Sequence, residues 1–263
     1  MTILDTIIES KKTEVAKRRL EISVAELEQS VFFTRPVFSL RQFLLDENKT
    51  GIIAEFKRRS PSKGVINDKA DVVEVTHAYT VNGASCLSVL TDEDFFGGST
   101  ADLKKARVND IPILRKDFII DEYQITEARA MGADVILLIA VCLSPQRVQE
   151  LALFAKQLQL EVLLEIHTEE ELEHICDATE IVGINNRDLK TFTVDINRSI
   201  ELGKKIPAGK IKIAESGIDS IDTICTFKNA GFKGFLIGEN FMKQPEPTIA
   251  FADFVEQLKA KVL

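Results

Sequence analysis

Nowhere in its 263 residues does this chain approach the run of roughly 18 apolar residues that a membrane-spanning helix requires. Its opening, MTILDTIIESKKTEVAKRRL, has no central apolar segment and no small-residue cleavage site, so no secretory leader is expected. Positive charge is in deficit: 33 Lys and Arg face 41 Asp and Glu, a net charge of −8. A general nucleic-acid binder would show the opposite balance, although a local pocket for a small anion remains compatible with a negative total. The four cysteines, Cys86, Cys142, Cys176 and Cys225, include no Cys-x-x-Cys pair, and each falls in an apolar pattern. They read as reduced, packed thiols of a cytoplasmic protein. Cys142 ends an apolar run, but packing accounts for it better than nucleophilic chemistry. The three histidines, His77, His167 and His174, form no metal-ligand spacing. His167 and His174, seven apart beside acidic residues, predict a helix entrance and a solvated face, and no metal site is expected. Finally, no G-x-G-x-x-G follows the first strand, against an open dinucleotide-binding sheet.

What is present is alternation. Short β-branched runs at 51–57, 84–91, 111–118, 134–140, 160–167, 180–187, 210–217 and 234–240 predict eight strands. Several are almost continuously apolar, as strands covered on both faces should be. Helical patterns separate them. SPQRVQELALFAKQLQ opens with Ser144 as N-cap and Pro145 in the first turn. DEYQITEARAMGA ends near Gly132, a C-cap. TEEELEHICDA begins with Thr168 and has Glu171 three residues later, a capping-box pattern that predicts a further helix. Eight right-handed βαβ units in about 210 residues fit a (β/α)8 barrel. Residues 1–48 carry helical patterns at 3–20 and 37–46 with no linker behind them. They are expected as helices packed on one barrel domain spanning 1–263, covering its bottom or rimming its top.

Charge is placed selectively. Glu55 and Lys57 in the first strand, Lys116 in the third, Glu165 in the fifth, Asn185 and Arg187 in the sixth and Glu215 in the seventh all lie towards the C-terminal ends of their runs. In a barrel those ends converge on the face that carries active sites. Glu55 and Lys57, two apart, point the same way. An unpaired buried carboxylate costs several kcal/mol, so acids in such strands are paired, exposed or used. Clustered charges of both signs are where acid and base roles separate. Two further turns, AESGI after the seventh strand and LIGEN after the eighth, place Gly217 and Gly238 where backbone N–H groups approach an anion. With Ser60 and Lys57 after the adjacent first strand, they predict a phosphate pocket.

The segments IIAEFKRRSPSKG, SVLTDEDFFGGS, ILRKDFIID, LLEIHTEEEL, VGINNRDL, IAESGI and LIGENFM, in this order and spacing, resemble the indole-3-glycerol phosphate synthase family of tryptophan biosynthesis. The resemblance covers nearly the whole chain. It implies conversion of 1-(2-carboxyphenylamino)-1-deoxyribulose 5-phosphate to indole-3-glycerol phosphate, carbon dioxide and water, with no metal or organic cofactor. It implies Lys116 as principal general acid towards the ribulose carbonyl oxygen, and Glu165 as stabiliser of positive charge or holder of Lys116. Glu55 and Lys57 would serve decarboxylation and dehydration, the dehydrating acid being either Lys57 or Lys116. Asn185 and Arg187 would hold hydroxyl and carboxylate groups, with Glu215 and Ser216 completing the floor. Ser60, Gly217 and Gly238 would bind phosphate, and Phe96 and Phe118 would sandwich the anthranilate ring.

One position departs from the family pattern: Asn240 stands where a smaller residue is usual, which leaves a backbone contact to phosphate at Gly238 intact but removes a hydroxyl. Neighbouring barrels fit less well. A phosphoribosylanthranilate isomerase would end its first strand in Cys, whereas this one ends in Glu-Phe-Lys. An orotidine phosphate decarboxylase would carry Asp-x-Lys-x-x-Asp, which is absent. A catalytically silent barrel would have lost some of its acids, yet both lysines and all three glutamates are present. The expected partner is therefore a small phosphorylated substrate, with neither nucleic acid nor membrane, for a cytoplasmic enzyme with a monomer as the default.

Overall fold

The computed structural model describes residues 3–188 and 193–262; Leu189, the last residue of the VGINNRDL segment, lies outside them. Eight parallel strands close a barrel: β1 (Ile52–Phe56), β2 (Cys86–Leu90), β3 (Ile113–Lys116), β4 (Val135–Ile139), β5 (Glu161–Ile166), β6 (Ile181–Asn185), β7 (Ile211–Glu215) and β8 (Gly234–Ile237). Each pairs with its sequence neighbours, and β8 returns to β1 with Ile53 beside Leu236. All eight fall inside the predicted runs.

The side-chain alternation of strands divides the apolar residues into two cores. Ile53, Cys86, Leu114, Val135, Leu137, Leu163, Ile213 and Leu236 fill the barrel interior. Ile52, Ala54, Phe56, Leu87, Val89, Ile136, Leu164 and Phe235 face outward into the larger core beneath the helices. The strands are buried on both faces and therefore read as unbroken apolar runs.

Helices α1 (Ile3–Glu21), α2 (Val24–Glu28) and α3 (Leu40–Leu45) precede the barrel. The N-terminal segment does both things the sequence left open. Leu40 and Leu44 of α3 close the bottom of the interior core. Helix α1 rims the top, where Ser10 reaches Asp94 and Lys11 reaches Asp92 and Asp117. The barrel helices are α4 (Val72–Val81), α5 (Thr100–Ala106), α6 (Glu122–Met131), α7 (Pro145–Gln157), α8 (Ile196–Lys205) and α9 (Ile221–Asn229), followed by α10 (Glu239–Met242) and α11 (Pro247–Val262). Ser144 caps α7 by accepting from Arg147 N, and Gly132 ends α6 in the left-handed region, both as expected. Among the described residues, no helix is long and apolar enough to cross a membrane.

One predicted helix is absent. After β5 the chain forms only a 3₁₀ segment, Glu170–His174, whose N-cap is Glu169 without a side-chain bond. Glu171 does not complete a capping box with Thr168. Its carboxylate instead accepts from His167 N at 2.6 Å, while the His174 ring lies 2.9 Å from Leu143 O. These side-chain anchors hold the segment in a short turn. His167 and His174, expected at a helix entrance and on a solvated face, are both buried.

Candidate active site

The C-terminal ends of the strands bring the predicted charged residues together. Lys116 Nζ lies 2.9 Å from Glu165 Oε2 and 3.1 Å from Glu215 Oε2, tying β3 to β5 and β7 across the mouth. Glu165 Oε1 also accepts from Asn185 Nδ2 at 3.0 Å, and Asn185 stands beside Glu215 in the β6–β7 register. Lys57, one residue beyond β1, pairs with Glu55 at 2.6 Å. Glu55 Oε2 accepts weakly from Ser88 Oγ of β2 at 3.4 Å. Glu55, Glu165 and Glu215 are all nearly inaccessible, and each has a lysine against it. The acids in these strands are thus paired rather than solvated, in two separate lysine–glutamate clusters.

The two partners of Lys116 differ electrostatically. Burial opposes charge on both. For Glu165 this is outweighed by Lys116, His167 and Asn185, which hold its carboxyl well below the ordinary range. Glu215 shares Lys116, but its Oε1 is buried with no hydrogen-bond partner. Burial therefore prevails, reinforced by the Glu165 charge, and pushes the Glu215 carboxyl up to about 7. Lys116 itself is raised: burial would lower it, but the charges of Glu165, Glu215 and Glu55 prevail. The arrangement holds a protonated lysine beside one firm carboxylate and one carboxyl that exchanges protons near neutrality.

Close approach explains two glycines. A Cβ on Gly183 of β6 would fall 2.1 Å from Glu215 Oε1, and one on Gly238 would fall 2.7 Å from Glu55 Oε1. Only the absence of a side chain at these positions leaves room for the two carboxyls. Ser216 adopts φ +68°, unusual for a residue with a Cβ. Asn186, buried behind the mouth, donates from Nδ2 to Ser216 O at 2.7 Å and holds this turn.

Residues expected to bind phosphate lie where the loop after β1 meets the loop after β8. Ser60 lies in a short hairpin, Arg59–Ser60 against Gly64–Val65, with its Oγ 3.4 Å from Ser62 Oγ. Lys63 of the same loop reaches Glu239, the residue after Gly238, at 3.6 Å. Arg187 reaches Glu239 from the opposite side at 3.7 Å. Gly217 lies at φ +68°, beside Val194. Asn240 Nδ2 donates to Asp219 O at 3.4 Å, two residues beyond Gly217. Two cations therefore converge beside Gly238, balanced by one carboxylate.

Phe96 and Phe118 meet directly, with centroids 6.0 Å apart and planes tilted by 42°. A ring stacked between them would need roughly 7 Å, two van der Waals contacts of about 3.5 Å. The expected sandwich is instead a single aromatic wall. Cys142 lies in the turn after β4, where burial pushes its thiol up to about 12, which suits packing rather than nucleophilic attack.

Several participants left no mark in the sequence. Lys11 of α1 is buried, 3.0 Å from both Asp92 and Asp117 and 2.6 Å from Glu14. Asp92 accepts from the N–H groups of Phe95 and Phe96, and Asp117 from that of Phe118. Arg115, facing outward on β3, joins Asp117 to Glu127. This ion network seats both loops that carry the aromatic wall. The links from Lys11 to Asp92 and Asp117 span most of a hundred residues or more, so no local pattern could have announced them. His167, Ser88 and Asn186 were likewise unanticipated.

Comparison with known proteins shows the family. The sequence profile of the family described as indole-3-glycerol phosphate synthase matches residues 4–254. A protein of that name from Bacteroides thetaiotaomicron is 46% identical over 258 residues, covering 98% of this chain and 99% of the relative. One from Acinetobacter baumannii is 44% identical over 95% of this chain and 94% of its own length. Among solved structures, a tryptophan synthase alpha-subunit from Pyrococcus furiosus superposes with a TM-score of 0.61 at 17% identity, covering 81% of this chain and 99% of that one. That likeness concerns the barrel fold alone. The chain belongs to the indole-3-glycerol phosphate synthase family.

Proposed function

We propose that Lys116 opens the reaction of this enzyme, the conversion of 1-(2-carboxyphenylamino)-1-deoxyribulose 5-phosphate to indole-3-glycerol phosphate, carbon dioxide and water in tryptophan biosynthesis. The observation that carries the assignment is the ammonium group held between Glu165 and Glu215 at the barrel mouth. In the first step the anthranilate ring carbon bearing the carboxylate attacks the ribulose ketone, and the ketone oxygen takes a proton from Lys116 as the C–C bond forms. Without that donor an alkoxide would develop in a partly dry site, where its charge is costly. Glu165, anionic throughout, stabilises the positive charge that builds on the amine and the ring. Glu215, near its own midpoint at neutral pH, lies 3.1 Å from Nζ and returns the proton that Lys116 has given away.

Loss of carbon dioxide leaves its bonding electron pair in the ring and restores aromaticity. The tertiary hydroxyl then departs as water, which needs a second acid and a base for the remaining proton. The Lys57–Glu55 pair supplies both, and a second lysine held by its own carboxylate, outside the direct contacts of Lys116, supports assigning dehydration to Lys57. Asn185 orients Glu165 while Arg187 and Lys63 meet the anionic end of the substrate. Backbone N–H groups at Gly217 and Gly238 and the hydroxyl of Ser60 complete phosphate recognition, and the Phe96–Phe118 wall covers the anthranilate ring. Ser216, fixed in its turn by Asn186, completes the floor.

The same reading places the enzyme in the cytoplasm, working as a monomer; its four free cysteines suit a reducing compartment. The deciding experiment is growth of indole fluorescence when purified protein meets the carboxyphenylamino-deoxyribulose phosphate, run with and without a chelator. Equal turnover in both is expected. Binding without turnover would remove the enzyme assignment, and inhibition by the chelator would overturn catalysis by side chains alone.

A further inference from the structure

Immediately past the end of β5, His167 is a buried titratable group that the reaction as described does not use. Its ring stands between two carboxylates: Nε2 lies 3.2 Å from Glu165 Oε1 and Nδ1 lies 3.6 Å from Glu171 Oε2. Neither ring nitrogen makes a hydrogen bond of good geometry, so the attraction is chiefly one of charge. The backbone N–H of the same residue donates to Glu171 Oε2 at 2.6 Å, which fixes Glu171 beneath the ring. We propose that His167 is a positioning residue for this reaction: as an imidazolium held by Glu165 and Glu171, it fixes the Glu165 carboxylate towards Lys116 and shares its charge.

Glu165 links the imidazole to Lys116. Its Oε2 takes the Lys116 ammonium, and its Oε1 takes Asn185 and faces His167. With a second cation on Oε1, less of the carboxylate charge is available to bind the lysine proton, and the cation also repels the ammonium across the carboxylate. Both effects make Lys116 a readier acid. Without the imidazolium, Lys116 would be held harder by Glu165 and would surrender its proton more slowly. The groups facing the ring from neighbouring elements agree with a charged imidazole. Glu165 comes from β5 and Glu171 from the 3₁₀ turn. Cys142, from the turn after β4, lies in the field of both carboxylates, which together with burial keep it a neutral thiol. His174 contacts the Glu171 carbonyl at 3.2 Å and does not intervene between the ring and the carboxylates. Burial alone would favour the neutral ring, but the two carboxylates outweigh it and raise His167 to about 9. A group so raised is charged throughout the neutral range and loses its proton only as pH climbs through that value.

The proposal rests on reading Lys116 and Glu165 as catalytic, and its test separates the two. With only three histidines in the chain, imidazole resonances of the intact protein can be assigned by single substitutions and titrated. His167 should titrate near pH 9, whatever the reaction proves to be. In parallel, kcat and KM are measured from pH 6 to 10.5 for the wild type, His167→Asn and His167→Gln. Wild-type kcat should fall through the pH at which His167 titrates. His167→Asn should lower kcat at neutral pH on the order of ten- to a hundredfold, as for a misplaced catalytic group, with KM nearly unchanged and that alkaline fall absent. His167→Gln, whose longer side chain carries its amide donor towards the Nε2 position that faces Glu165, should recover part of kcat without restoring the fall. A His167 resonance titrating at or below the ordinary histidine value overturns the proposal even if both variants fail to fold. So does a variant with wild-type kcat and an unaltered pH profile. Full activity in Lys116→Met would instead remove the reading beneath it.

Discussion

Replacing Lys116 with Met keeps an unbranched side chain of similar length while removing the proton and the charge. General acid catalysis is worth roughly 10²–10⁴ in rate, so the variant should lose about 2.7–5.4 kcal/mol of transition-state stabilisation at about 1.36 kcal/mol per tenfold. The structure also determines what happens to folding. Glu165 and Glu215 would lose the ammonium between them, and breaking a buried pair typically costs about 3–5 kcal/mol when the remaining charge stays uncompensated. Here much of that cost has an outlet. Glu215, already near 7, takes up a proton once the cation is gone, while Glu165 keeps Asn185 and His167. The stability loss should therefore be the smaller effect, on the order of 1–2 kcal/mol or roughly 2–8 °C in Tm for a chain of this size. Product is read by indole fluorescence, and the chain contains no tryptophan to mask it. Substrate affinity by calorimetry completes the set. A folded variant retaining more than a tenth of wild-type kcat would refute Lys116 as the principal acid. A loss that simply tracks Tm would do so equally.

Other perturbations separate the remaining parts. Lys57→Met should release carbon dioxide faster than it forms indole, so gas release and fluorescence diverge; if both slow together, dehydration does not depend on Lys57. Gly183→Ala would force a methyl group to within 2.1 Å of Glu215 Oε1. Overpacking of this kind costs about 1–3 kcal/mol, and displacement of the carboxyl should cut kcat on the order of a hundredfold; unchanged kcat would show that Glu215 need not hold its place. Lys11→Met takes the buried cation from Asp92 and Asp117, while Asp117 keeps Arg115 and Glu14 keeps Arg18, and should lower Tm on the order of 5–10 °C by the cost of buried charge left underpaired. It should also raise KM, because the loops bearing Phe96 and Phe118 lose their common anchor, and an unaffected KM would show that the network serves stability alone.

The barrel was legible because its parallel strands are buried on both faces and bounded by turn chemistry. The charges that gather at the barrel mouth were legible because they interrupt those apolar runs at one end. Glu55, Lys116, Glu165 and Glu215 stand out as charges where Val or Ile would be expected. Lys11, Asp92 and Asp117 do not, since a charged residue in a helix or loop is the ordinary case and their pairing exists only in three dimensions. The segment after β5 misled for a related reason. Thr168 and Glu171 have the spacing of a local capping box, but the buried backbone of His167 offers Glu171 a better partner. The sandwich expected of Phe96 and Phe118 was a statement about ring type, and only coordinates could show that the two rings touch.

The seating of α1 has a consequence for how the chain is made. Its contacts at the rim lie 81 to 109 positions downstream, from Asp92 to Glu127. At about 5–20 residues per second of synthesis, the helix waits roughly 4 to 22 seconds for them. Most of a helix's stability in a protein comes from tertiary packing rather than propensity, so through that interval α1 has little to hold it. Once β2, β3 and α6 have emerged, the Lys11 network can fasten. This can precede β8, which closes the ring against β1. The nascent chain can thus carry a sealed rim around Lys116 while the opposite wall, with Glu215 and Gly238, is still to be translated. A pause between residues 130 and 210 would leave one half of the active site assembled and the other not yet synthesised.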